Sequence, residues 1–78
     1  MFRIVEYTLG EGGEVVARCP LQPLFEIWED AIAMAEFESS RLEASRYDGE
    51  RNCWYAKDTC GQIYRFEIEE VSATDAAA

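Results

Sequence analysis

The sequence predicts a small α+β domain in which a β-hairpin, one long helix and a second β-hairpin (ββαββ) form a four-stranded antiparallel sheet covered on one face by the helix. Two observations carry this expectation. Two β-rich runs each reverse at a glycine-containing turn, and the stretch between them lacks glycine and proline while spacing its apolar residues as a helix does. Residues 1–71 are expected to form this single domain, because 78 residues are too few to divide into two cores. The last residues, 72–78, have no bulky apolar side chain to anchor them and are expected to fray.

The first hairpin is read from Phe2 to Leu9, a run rich in β-branched and aromatic side chains that stops at Gly10-Glu11-Gly12-Gly13. Glycines supply the positive φ angles of a tight reversal, and Glu14 to Arg18 reads as the returning strand. Cys19-Pro20-Leu21-Gln22-Pro23 then ends it, since proline cannot donate to a sheet ladder and biases its predecessor away from helix. The glycines could suggest a phosphate-cradling loop. No helix follows them directly, however, and Glu11 and Glu14 would repel a phosphate.

Pro23 suits the first turn of a helix that is expected to run to about Ser45. Leu24, Ile27, Trp28, Ala31, Met34, Ala35 and Leu42 project onto one side, with Ile32 at its margin, and Glu26, Glu29, Asp30, Glu36 and Ser40 onto the other. Phe37 falls among the charges. Acids lie toward the start while Arg41 and Arg46 lie near the end, as the helix dipole favours. Tyr47-Asp48-Gly49-Glu50 is read as the closing turn.

The second hairpin carries a definite register. Asp58-Thr59-Cys60-Gly61 reads as a type I turn with glycine in a left-handed bulge position. Pairing Asp58 with Gln62 then sets Ala56 against Tyr64, Trp54 against Phe66 and Asn52 against Ile68, all on the face that meets the helix. Cys53, Tyr55 and Lys57 share the other face with Glu67, Arg65 and Ile63, where Tyr55 and Arg65 are expected to form a cation–π contact. The order of the four strands stays open, as does which face of the first hairpin meets the helix.

Composition excludes several functions. Sixteen acidic and seven basic side chains leave a formal charge of -9, which would repel a phosphate backbone, so direct nucleic-acid binding is not expected. No run approaches the ~20 apolar residues of a membrane span, and no leader pattern opens the chain, which points to no membrane association and a cytoplasmic address. The chain has no histidine, so a hydrolytic triad or a histidine base has no material, and no serine sits in a nucleophile elbow. Glu67, Glu69 and Glu70 read as a solvated edge. No enzymatic activity, catalytic residue or cofactor is expected.

Three cysteines, Cys19, Cys53 and Cys60, are too few and too scattered for a disulfide framework or a zinc site. The hairpin register adds a geometric objection: at ~3.3 Å per residue, Cys53 lies about 15 Å from the turn that holds Cys60. Reduced thiols and no metal are the expectation.

What remains is association. One helix covers one face of a sheet, yet the first hairpin is apolar on both sides: Phe2, Ile4, Val15 and Ala17 on one, Val5, Tyr7, Leu9 and Val16 on the other. Tyr55 and Ile63 extend the second set. Val5, Tyr7, Leu9, Val16, Tyr55 and Ile63 therefore form a candidate self-association surface, and a non-enzymatic interaction module that forms a homodimer is the leading expectation. A second is an acidic regulator or nucleic-acid mimic that docks on a basic protein through Glu26, Glu29, Asp30, Glu36 and Phe37. A third is a small-molecule site between helix and sheet near Trp28, Trp54 and Tyr64.

Overall fold

The computed structural model describes residues 1–72, and the tail expected to fray lies outside these except for Ser72. The α+β class holds, with one helix, but the sheet has five strands and not four. The elements are β1 (Phe2–Leu9), β2 (Val15–Pro20), α1 (Trp28–Ser40), β3 (Ala44–Asp48), β4 (Cys53–Lys57) and β5 (Ile63–Glu70). All pairings are antiparallel and the strand order is β2-β1-β5-β4-β3. The first and last strands are thus neighbours at the centre, paired from Phe2 opposite Glu70 to Leu9 opposite Ile63.

Two corrections concern the helix. It begins at Trp28, not Pro23, because the backbone of Phe25 is already engaged: Phe2 and Phe25 exchange N–H···O bonds of 2.7 Å in both directions. Ile27 stays extended at φ -113° and ψ 130° and is 54% exposed, so it leaves the expected apolar stripe. The helix also stops at Ser40. There the hydroxyls of Ser39 and Ser40 donate to the carbonyls of Glu36 and Phe37, 3.1 and 3.0 Å away, the local alternative to ladder bonding that weakens a helix interior.

Residues read as the helix's end and its closing turn are instead β3 and the hairpin loop that follows. Arg46 consequently stands opposite Tyr55 on β4 and plays no part in the helix dipole. The Asp48 carboxylate accepts from the amides of Glu50 and Arg51 at 3.0 and 3.4 Å, and Asn52 takes φ 54°. Asparagine tolerates this left-handed region better than other side chains do. Tyr47 packs its ring 5.0 Å from that of Trp54 across the strand pair. Asn52 therefore does not pair with Ile68, whose partner is Ile4 of β1.

The rest of the predicted register is present: Ala56 faces Tyr64 and Trp54 faces Phe66. Its turn has the expected geometry, with Gly61 at φ 88° and its amide 3.1 Å from the Asp58 carbonyl. The Asp58 side chain accepts from the amides of Cys60 and Gln62, both at 2.9 Å, and from the Tyr64 hydroxyl at 3.1 Å. These bonds, the Gln62 amide first, hold the Asp58 carboxyl below its ordinary value, since donors aimed at a carboxylate favour its charged form.

The helix packs on the face that carries Ile4, Trp54, Ala56 and Phe66, and with Ala35 these buried residues form the main core. Ala31, Ala35 and Ser39 recur every fourth position and are all buried. Small side chains on that stripe let the helix axis approach the sheet, while Ile32, Met34, Leu42 and Tyr64 fill the flanks. Trp28 meets Phe2 edge-on, with ring centroids 5.3 Å apart.

The two loop glycines Gly49 and Gly61 differ in a way that can be measured. A Cβ at Gly61 would meet nothing within 4 Å, so its positive φ is the whole constraint, and Gly61→Ala should destabilise by about 1–2 kcal/mol. At Gly49 a Cβ would make an ordinary 3.6 Å contact with Tyr47, and φ is not in the left-handed region. Chemical denaturation of the two variants should show loss at Gly61 and near-neutrality at Gly49.

Candidate association surface

Side chains alternate along a strand, so the register fixes which residues occupy the face away from the helix. From β1 and β5 these are Arg3, Val5, Tyr7 and Leu9 with Ile63, Arg65, Glu67 and Glu69. Tyr55, Cys53 and Lys57 of β4 and Ala44, Arg46 and Asp48 of β3 continue the same rows. On β2, Arg18 lies opposite Tyr7 and Pro20 opposite Val5.

Val5, Leu9 and Cys53 are buried here, at 1%, 6% and 0% exposure, although no helix covers this face. Long side chains with polar tips do so instead, lying along the apolar rows and keeping their heads in water. Glu69 joins Arg3 at 2.8 Å and Arg18 at 3.0 Å. The Arg65 guanidinium stacks 4.9 Å from the Tyr7 ring centre, and that of Arg46 stacks 5.3 Å from Tyr55. The expected Tyr55–Arg65 contact is thus replaced by two others, because a strand on each side competes for the same groups. Arg65 Nε also lies 2.6 Å from Glu67 Oε2, which pairs the charges but leaves this buried nitrogen without a hydrogen-bond acceptor.

The residues expected to form an exposed apolar patch therefore divide. Val5 and Leu9 are covered, Tyr7 and Tyr55 are half-buried, and Ile63 and Val16 are 42% and 60% exposed. The β1–β2 register slips by one between Thr8 and Leu9, so that Val15, and not Val16, stands opposite Leu9. Val16 is the extra residue of this bulge.

An open cleft of about 390 Å³ survives at one end of the face, lined by Leu9, Ala44, Tyr55 and Ile63 with Arg46 and Lys57 among its walls. Arg46 and Lys57 form no ion pair among the described residues. Both, with Ala44, were missing from the expected surface. The signal for Lys57 lay in its register with Ile63, whereas Arg46 and Ala44 could be placed only once β3 was known to be a strand.

The acidic surface stands on the helix's outer side and the segment just before it. Glu26, Glu29, Asp30, Glu36 and Phe37 are all exposed, Phe37 to 57%. Arg41 lies over the Phe37 ring at 5.8 Å and pairs with Glu38 at 3.2 Å. The three residues of the small-molecule expectation have different surroundings. Trp54 is in the core and Trp28 is packed on Phe2, while Tyr64 borders a cleft of about 280 Å³ with Glu6, Glu38, Arg41, Leu42 and Phe66.

In that cleft the Glu6 carboxyl is raised above its ordinary value, by burial first and by the neighbouring charge of Glu38 second. Burial likewise pushes up the Cys53 thiol, which keeps it protonated and a poor nucleophile. Cys19 and Cys60 are exposed, and all three cysteines are free. No helix among the described residues is long and apolar enough to cross a membrane. Comparison with known proteins gives no match to any family model, curated protein or solved structure.

The Glu6 shift has a definite sign in stability. A carboxyl whose folded value is raised binds its proton more tightly when folded, so the fold gains stability as pH falls through that raised value and carries the full penalty above it. Glu6→Gln should therefore raise the melting temperature at pH 7. Its advantage over the parent should shrink on acidification toward the ordinary carboxylate range, which a pH series of thermal melts measures; an advantage that is flat with pH would contradict this assignment.

Proposed function

We propose that this domain is a non-enzymatic interaction module that self-associates through the uncovered face of its sheet. The observation that carries the reading is the cleft beside Ile63: an apolar floor of Leu9, Ala44, Tyr55 and Ile63 left open on a face where Val5 and Cys53 are covered by neighbouring side chains. Along β1 and β5 the arginines, glutamates and tyrosines pair with one another and lie over the apolar rows. At the cleft the cover is missing, and exposed apolar surface rimmed by polar groups is the usual mark of an association site.

Catalysis has less support. Glu6 and Tyr64, both with raised values, share the cleft on the helix side, whereas the raised Cys53 thiol is on the opposite face of the sheet and cannot act with them on one reacting atom. Sedimentation equilibrium from low to high micromolar concentration should give a mass above that of one 8.9 kDa chain. Ile63→Lys should weaken that association at least about tenfold, as loss of a central apolar contact does. A strict monomer throughout the range would sink the proposal.

One observation favours a second reading, an acidic regulator that docks on a basic partner. Glu26, Glu29, Asp30 and Glu36 are in no ion pair among the described residues, and Phe37 stands exposed beside them. Binding of this kind should weaken with salt and disappear when Glu26, Glu29 and Glu36 are changed together to glutamine. Retention of a basic partner by that triple variant would rule it out.

A further inference from the structure

The two open surfaces of the molecule carry opposite charge. In the strand rows of the far face stand Arg3, Arg18, Arg46, Lys57 and Arg65, five of the chain's seven cations, with Asp48, Glu67 and Glu69 in the same rows and Glu11 of the β1–β2 loop bordering a hollow beside Leu9 and Ile63. The balance of these strand rows is +2 in a chain of net charge -9. The outer side of the helix and the segment before it present Glu26, Glu29, Asp30 and Glu36 instead, with Arg41, paired to Glu38, as the cation beside Phe37. Two far faces brought together would oppose like charge, whereas a far face brought to the helix surface of another copy would oppose unlike charge.

The apolar features match in the same sense. The cleft offers an open apolar floor beside Arg46 and Lys57, two cations in no ion pair among the described residues. The helix offers Phe37, 57% exposed, next to Glu36. An aromatic ring is the kind of side chain that anchors an interface when a desolvated pocket receives it. Helix and far face lie on opposite sides of the sheet, so the two surfaces cannot meet within one molecule.

We infer that copies of this chain associate head to tail, with Phe37 of one seated in the Leu9–Tyr55–Ile63 cleft of the next and Glu36 opposite Arg46 and Lys57. This rests on the self-association reading and adds its partner surface. The contact is heterologous: every copy in a row keeps one free Phe37 at one end and one free cleft at the other, so assembly continues into rings or filaments and does not stop at a closed pair.

Complementation between variants tests this directly. Phe37→Glu removes the inserted ring and Ile63→Glu spoils the cleft; each alone should weaken self-association at least about tenfold. Mixed in equal amounts, they should form a complex of two chains and nothing larger, because the Phe37→Glu copy still has its cleft and the Ile63→Glu copy still has its phenylalanine. Circular dichroism checks that each variant is folded. If Ile63→Glu is not, Arg46→Glu combined with Lys57→Glu supplies a cleft-side variant at exposed positions. A mixture that stays monomeric while the parent self-associates overturns the head-to-tail contact and leaves the self-association reading standing. A monomeric parent overturns both.

Discussion

The pairing of β1 with β5 is the constraint on which the rest of the molecule depends. It joins the first strand to the last along their whole length, and Met1 and Val71 extend it by a further pair of backbone bonds, 2.7 and 3.2 Å. Closing so long a loop costs entropy, but that cost grows only with the logarithm of length. Burial offsets it: Ile4, Val5 and Phe66 are each at most 2% exposed. Because this pair is central, both of its faces need cover, and a single helix supplies one. The other is closed by the chain's own arginine, glutamate and tyrosine side chains, which is why Val5 and Cys53 are as well buried as the residues under the helix.

The same alternation sorts charge. Along β5, Tyr64, Phe66 and Ile68 turn toward the helix, whereas Ile63, Arg65, Glu67 and Glu69 turn away. The ion pairs that result are partly exposed, and each contributes at most about 1 kcal/mol. Their larger consequence is positional. Glu69 holds Arg3 and Arg18 flat across β1 and β2, and Arg65 accepts a misaligned contact with Glu67 in order to lie over Tyr7. Arg46 and Lys57 are left without an ion-pair partner among the described residues. The chain's net charge therefore says little about this face, which is locally cationic.

How much of this could be read from the sequence follows from how local each determinant is. The β4–β5 register was legible because Asp58, Gly61 and the alternation on either side lie within a few residues of one another. The core face of that hairpin was legible with it. Strand β3 was not, since Leu42-Glu43-Ala44 continues a good helix and nothing nearby forbids one. Five pairings with β4 and the packing of Tyr47 on Trp54 decide the matter, and both are tertiary. The start of the helix was misplaced for a similar reason, because the Phe2–Phe25 bridge spans more than twenty residues. As for the candidate surface, the sequence reading named Tyr55, Ile63 and Phe37 but treated every apolar residue on the far face as exposed. It could not anticipate that long polar side chains would roof Val5 and Leu9, since that roof requires β1, β5 and β2 to be adjacent.

The two edges of the sheet bear on where association can occur. Edge β2 is guarded twice, by a bulge at Val16 and by Pro20, which has no amide to donate, and both devices discourage strand addition. Edge β3 has neither. Yet it is only five residues long, and Arg46 is its middle residue. Two β3 strands paired antiparallel in full overlap would place Arg46 against the second copy's Arg46, and like charges directly opposite destabilise a strand pair. Shifting the overlap to avoid this leaves a ladder of three residues or fewer. Growth of the sheet through its edges is therefore opposed at both ends by different means, and the apolar cleft on the far face, between Ile63 and the start of β3, stays open to a second molecule.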